Sequence, residues 1–97
     1  MVILTYTKIK QFIDTHAGSM DALNNWFRLV ENADWSNFHE VKEVFNSVDA
    51  IGKDRYVFNV RGNNYRIVTV IIFPVRTVFI RFVGTHAEYD KIDCSTI

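Results

Sequence analysis

An arginine, an imidazole, a phenol and two carboxylates stand close together in V-F-I-R-F-V-G-T-H-A-E-Y-D, the stretch from Val78 to Asp90. Val78, Ile80 and Phe82 alternate with Thr77, Phe79, Arg81 and Val83, the period-two pattern of a strand, and Gly84 breaks it. Thr85 followed by Glu88 has the spacing of a capping box. In that motif the Thr hydroxyl accepts from a first-turn N–H while the Glu reaches back to the Thr N–H. A helix opened by this cap carries His86 at its first position, with Tyr89 and Asp90 three and four residues on, over the same face. Unpaired N–H groups and the positive end of the helix dipole then lie beside an imidazole and a phenol, just past a strand bearing Arg81. Such a place seats a phosphate. A structural use competes with it: His86 bonded to a carbonyl, or fixed by Asp90 as a surface pair.

The elements that must position these groups lie in the second half of the chain. Tyr56 to Val60 reads as a strand, and Gly62-Asn63 fits a two-residue hairpin turn. That turn pairs Arg61 with Asn64 and Val60 with Tyr65, so Asn59 faces Arg66 and Val57 faces Val68. The next strand runs from Tyr65 to about Phe73, turns around Pro74-Val75 and returns from Val78 to Val83. With two residues in that turn, Val68 faces Arg81 and Arg66 faces Val83. Arg66 and Arg81 then share one sheet face with Asn59 beside them, and a slip of one residue separates them. Two arginines among Val, Ile and Phe have three explanations: a solvent-exposed face, acids from elsewhere in the chain, or an anionic ligand. A buried guanidinium with no anion is costly.

The first half is helical in pattern. Val2 to Thr5 is a short β-rich run. Ile9, Phe12 and Ile13 then form one stripe of a helix ending near His16, which is read as a surface residue favoured by the helix dipole. Ser19 is placed as the N-cap of a second helix, with Leu23, Trp26, Phe27 and Val30 as its apolar face. Asn37 and Glu40 cap a third, with Phe38, Val41 and Phe45 inward. Asn46 to Gly52 is read as loop.

Composition bounds the class. Ninety-seven residues suffice for one domain, residues 1–97, and 48% hydrophobic content argues for a folded core. Cys94 is the only cysteine, which excludes an intramolecular disulfide and favours a reducing, cytoplasmic home. Met1 to Lys10 lacks the pattern of a secretory signal, and the apolar window Tyr65 to Val83 is interrupted by Arg66, Pro74, Arg76 and Arg81, so no membrane role is expected. The net charge of zero hides an asymmetry: residues 1–52 hold four basic against seven acidic groups, residues 53–97 the reverse. A basic half built on strands suits a polyanion, and so small an excess also suits ordinary solvated surface. No phosphate loop, nucleophile elbow or metal-ligand spacing is present, so neither a metal nor another cofactor is expected.

Two strings carry a resemblance. R-Y-V-F-N-V-R-G-N-N-Y-R-I-V (Arg55 to Val68) followed by V-F-I-R-F-V-G-T-H-A-E-Y-D (Val78 to Asp90) resembles the HigB-type toxins of bacterial toxin–antitoxin systems, within the RelE-like mRNA interferase superfamily. Weaker agreement runs upstream through Ala33, Asp34 and Trp35, and the length is that of such a toxin. The resemblance implies an α+β fold: N-terminal helices packed on a small, mostly antiparallel sheet whose concave face binds mRNA, with a short C-terminal helix. It also implies endonucleolytic cleavage of mRNA on the ribosome, inhibition of translation, and neutralisation by a helix-turn-helix, HigA-like antitoxin. DNA would be met only indirectly, through that complex.

Metal-free RNA cleavage needs a base for the 2′-OH, positive charge on the phosphorane, and an acid for the leaving 5′-oxygen. On this reading Arg66 and Arg81 stabilise the phosphorane, and His86 and Tyr89 divide the proton transfers. Asn59 orients the substrate, and Lys53, Arg55, Arg61 and Lys91 hold RNA backbone. One departure stands out, since RelE-like toxins are usually basic and this chain is neutral. The alternative is a weak or inactive module of the same fold, acting in a co-repressor complex.

Overall fold

The computed structural model describes residues 1–61, 64–93 and 97. Its elements follow in the order β1 (Val2–Leu4), α1 (Thr7–Thr15), α2 (Met20–Glu31), α3 (Phe38–Val44), β2 (Asp49–Gly52), β3 (Arg55–Val60), β4 (Tyr65–Ile72), β5 (Thr77–Thr85) and α4 (His86–Tyr89). The strands form one five-stranded sheet in the order β1-β5-β4-β3-β2. β1 runs parallel to β5 and the other pairs are antiparallel, so the mostly antiparallel α+β architecture holds.

The apolar stripes of the helices explain the layering. Ile9 and Phe12 of α1, Leu23, Trp26 and Val30 of α2, and Val41 of α3 are buried with Phe58, Val60, Ile67, Ile71, Val78 and Ile80 from one face of the sheet. The Trp26 ring meets Phe58 edge-on at 5.3 Å, and Phe58 meets Phe45 likewise at 5.2 Å. The opposite face carries Asn59, Arg66 and Gly84 in one row across three strands, because these residues are paired in register. The helix layer thus leaves that face to the candidate chemistry. At the far end of α2 the α-amino group of Met1 donates to the carbonyls of Val30, Glu31 and Ala33, a positive charge on the negative end of the helix dipole.

Several local expectations are corrected. Ser19 stands at the N-cap position of α2 as expected, but it closes a 3₁₀ turn over Ala17–Ser19 and its buried hydroxyl donates to the His16 carbonyl at 2.6 Å, so it makes no side-chain cap bond. Within the stretch read as loop, Asp49–Gly52 forms the edge strand β2, with an irregularity between Ala50 and Gly52. The β4–β5 connection is no two-residue turn. A 3₁₀ turn over Phe73–Val75 precedes Arg76 in the left-handed region (φ 51°), held there by Arg76 donating to the Phe73 carbonyl and to Asp34. Gly84 does not break the last strand, which continues to Thr85.

Candidate functional site

α4 is only one turn long and owes its position to its cap. Thr85 Oγ1 accepts from the Glu88 N–H at 3.2 Å and Glu88 Oε1 accepts from the Thr85 N–H at 2.9 Å, the reciprocal capping box expected. The bond from the Thr85 amide is the main reason the Glu88 carboxyl is held below its ordinary range, with the Thr85 hydroxyl, His16 and Lys91 adding to it against partial burial. The His86 N–H donates to the Asn64 carbonyl at 3.2 Å, tying α4 to the β3–β4 hairpin. Two amides that a phosphate would use at this helix start are therefore engaged already, and the anion seat expected there is not formed by them.

Side chains of α4 and β4 come together instead. The Arg66 guanidinium lies over the Tyr89 ring, 5.5 Å from its centroid. Arg66 is half-buried, and its Nη1 is fully shielded with no hydrogen-bond partner among the described residues. Asn59 is its neighbour on β3 and Gly84 its neighbour on β5. A Cβ on Gly84 would sit 2.4 Å from the Phe82 ring and 3.3 Å from Glu88 Cβ, so glycine is what lets Phe82 and α4 close over this row. His86 is exposed, and its Nδ1 stands 3.1 Å from Asp90 Oδ2, one helical turn on. A proton on Nδ1 shared with that carboxylate leaves Nε2 as the open, basic nitrogen. The arrangement thus offers a fixed positive charge, a phenol beside it, and a carboxylate-oriented imidazole on the same turn.

Arg81 is placed otherwise than expected. Val68 pairs with Phe82 and Arg66 with Gly84, while Thr69 pairs with Ile80; Arg81 is the extra residue of a β-bulge. The bulge also inverts the alternation. Val78 and Ile80 pack inward before it, Val83 after it, and Phe82 moves to the row's face. Arg81 consequently has no partner on β4, and its expected pairing with Val68 is not realised. It is exposed, lining a cleft of about 250 Å³ with Phe82, Val83 and, from α1, Lys8, Gln11 and Phe12. Lys8 and Gln11 were not singled out by sequence reasoning, and no spacing in the chain marks them.

The groups assigned to RNA backbone do not gather in one patch. Arg55 and Arg61 stand at opposite ends of β3, ~20 Å apart at the strand's rise. Arg55 donates to the Ile97 carbonyl at 2.7 and 3.0 Å, and Arg61 to the Gly18 carbonyl at 3.1 Å. Asn59 Nδ2 donates to the Ser47 carbonyl at 2.7 Å, beside a cavity of about 160 Å³ shared with Trp26 and Phe45. Lys53, at the β2–β3 turn, and Lys91, just after α4, are exposed. His39 pairs with Glu43 at 3.2 Å, and His16 stacks on Phe12 at 4.1 Å. Among the described residues no three His, Cys, Asp or Glu side chains come together as metal ligands, and no helix is long and apolar enough to cross a membrane. Cys94 and the Gly62-Asn63 turn lie outside the described residues.

Comparison with known proteins agrees with the two strings. The mRNA interferase HigB of Escherichia coli O6:H1 is 33% identical over 73 residues, 73% of this chain and 71% of that protein. The mRNA interferase HigB of Shigella flexneri is 44% identical over 52 residues, and the match spans about half the length of each, 52% of this chain and 50% of that protein. The family model for HigB toxin, the RelE-like toxic component of a toxin–antitoxin system, matches residues 19–92, which takes in every strand from β2 onward and the positions of Arg66, His86 and Tyr89. The chain belongs to the HigB toxin family.

Proposed function

We propose that this chain is a ribosome-dependent mRNA interferase, the toxin of a toxin–antitoxin pair that stops translation by cutting mRNA. The observation that carries the reading is Arg66: a guanidinium with a shielded N–H that has no partner among the described residues, over Tyr89 and in register with Asn59, on the sheet face that the helix layer leaves free. A fixed donor without an acceptor in the resting protein is suited to an anion that arrives with the substrate.

The reaction runs by 2′-OH attack. His86 Nε2, oriented through Nδ1 by Asp90, takes the 2′-hydroxyl proton as the oxygen bonds to phosphorus. Arg66 neutralises the charge on the pentacoordinate phosphorane. The P–O5′ bond breaks, and the Tyr89 phenol protonates the leaving oxygen. Asn59 orients the strand, and Lys53 and Lys91 hold backbone more loosely, with Arg55 and Arg61 available where their carbonyl contacts release. The ribosome presents the mRNA, which fits a chain of zero net charge. A HigA-like, helix-turn-helix antitoxin neutralises the toxin and carries the complex to operator DNA. Gel shifts in which the toxin alone retards operator DNA would contradict that division of labour.

The chemistry is tested by the ends of the cut RNA. Upstream fragments should carry a 2′,3′-cyclic phosphate and downstream fragments a 5′-hydroxyl. Upstream 3′-hydroxyls paired with downstream 5′-phosphates would overturn the mechanism.

A further inference from the structure

The cleft around Arg81 is not accounted for by the reacting groups. β1 leaves β5 after the Leu4–Phe79 pair, and α1 runs in beside the rest of the strand. Lys8 and Gln11 of α1 then face the bulge at Arg81 across the cleft of about 250 Å³, floored by Phe12, Phe82 and Val83. Two cations and an amide line it, with no carboxylate among the lining residues. Arg76 is paired with Asp34, Arg55 with Ile97, Arg61 with Gly18 and Arg28 with Asn25, while Arg66 lies over the Tyr89 ring. The side chains of Lys8 and Arg81 have no hydrogen-bond or ion-pair partner among the described residues.

A bulge costs ladder hydrogen bonds and re-aims one side chain. Here it leaves Arg81 without a partner on β4, lining the cleft with Lys8. Phe82 lines the cleft, and Gly84, which pairs with Arg66, lies two residues further along the same strand, ~7 Å away. That separation is close to one nucleotide's step along a single strand. We propose that the cleft formed by Lys8, Gln11 and Arg81 binds the backbone phosphodiester next to the scissile one, fixing the strand while Arg66 acts at the reacting phosphorus. The guanidinium supplies two parallel donors to the phosphate oxygens, Lys8 a point charge, and Gln11 a neutral donor. This subsite rests on the interferase reading and deepens it. An acidic segment of a protein partner is the competing occupant; proximity to the Arg66 row favours the RNA strand.

The test is an NMR titration of the isotope-labelled full chain with a fully 2′-O-methylated trinucleotide, which cannot be cleaved. Wild type should show shifts at the Gln11 side-chain amide and the Arg81 Nε–H. Lys8→Ala should raise Kd roughly two- to five-fold, the scale of one exposed charge pair. It should also reduce the slope of log K against log salt by about 0.7. Lys10→Ala, also exposed on α1 but outside the cleft, should change neither. Equal effects of the two lysines, shifts confined to Arg66 and Tyr89, or no binding by wild type would each overturn the subsite. So would a Lys8→Ala variant that binds RNA normally yet loses affinity for a copurifying protein. Cleavage is scored separately on translating ribosomes: its absence with Lys8-dependent binding intact refutes the interferase reading, and its presence without that binding refutes only the cleft.

Discussion

Replacing Arg66 by methionine should make the protein more stable and nearly inactive. The Arg66 Nη1 donor is shielded and has no partner among the described residues. A buried donor left unsatisfied costs about 1–3 kcal/mol, and a charged one lies toward the upper end. Against this stands the guanidinium over Tyr89 at 5.5 Å, an interaction worth about 0.5–1 kcal/mol where partly exposed. Methionine keeps the length and apolar stem of the side chain while removing both terms. The net gain is about 1 kcal/mol, or roughly 4–8 °C in Tm for a domain of this size. Urea unfolding should show the midpoint rising with an unchanged slope. Cleavage should fall by about 10²–10³, the usual cost of losing a donor aimed at developing charge. Phosphate at high concentration should stabilise wild type more than Arg66→Met, since only the former offers the donor to an anion. A methionine variant that unfolds more easily by over 1 kcal/mol while still cutting RNA would refute the reasoning and make Arg66 a structural residue.

Gly84→Ala should destabilise by about 1–3 kcal/mol, because its methyl would fall 2.4 Å and 2.8 Å from two Phe82 ring atoms; thermal unfolding measures this, and loss of cleavage beyond the unfolded fraction would report displacement of α4. The lowered Glu88 carboxyl gives the cap a defined pH window, because its contribution is complete above the ordinary carboxylate value of 4.5 and is lost as pH falls through the lowered one. Glu88→Gln, which keeps a capping oxygen but no charge, should therefore lose less stability than wild type between pH 5 and strong acid, read by urea unfolding at each pH. His86→Ala should slow cleavage by about 10²–10⁴, and Asp90→Asn by a smaller factor through loss of ring orientation. Equal rates for His86→Ala and wild type would remove the imidazole from the chemistry.

The parts of the fold that were legible depend on local chemistry alone. The reciprocal cap of Thr85 and Glu88 is present, and so is the Asn37 cap, which accepts from the Glu40 N–H at 3.1 Å. The first hairpin register, Val60 with Tyr65 and Asn59 with Arg66, follows from the short link between the two strands. The second hairpin failed for two physical reasons. Its link is a 3₁₀ turn closed by Arg76, whose left-handed backbone is held by contacts to Phe73 and Asp34, and Asp34 lies 42 residues away in sequence. The bulge at Arg81 also leaves no trace in an apolar pattern where Ile80, Phe82 and Val83 can each point inward. β2 escaped notice because Asp49, Ala50 and Gly52 carry no alternating apolar set, and pairing with β3 alone makes them a strand. Candidate residues chosen by type, Arg66 and Tyr89, were brought together by α4 folding back on β4. The Lys8–Arg81 cleft was invisible because it needs both the bulge and the docking of α1 on β5.

Primer extension on a reporter mRNA in a translating bacterial extract tests the central claim most directly, with wild type beside Arg66→Met and a lane in which initiation is blocked. Cuts within codons should depend on the wild-type protein, vanish in Arg66→Met, and vanish when ribosomes are kept from the message. An absence of cuts by folded, antitoxin-free wild type would contradict it and leave an inactive binding module of the same fold. Cuts that persist in Arg66→Met would place the catalytic charge elsewhere.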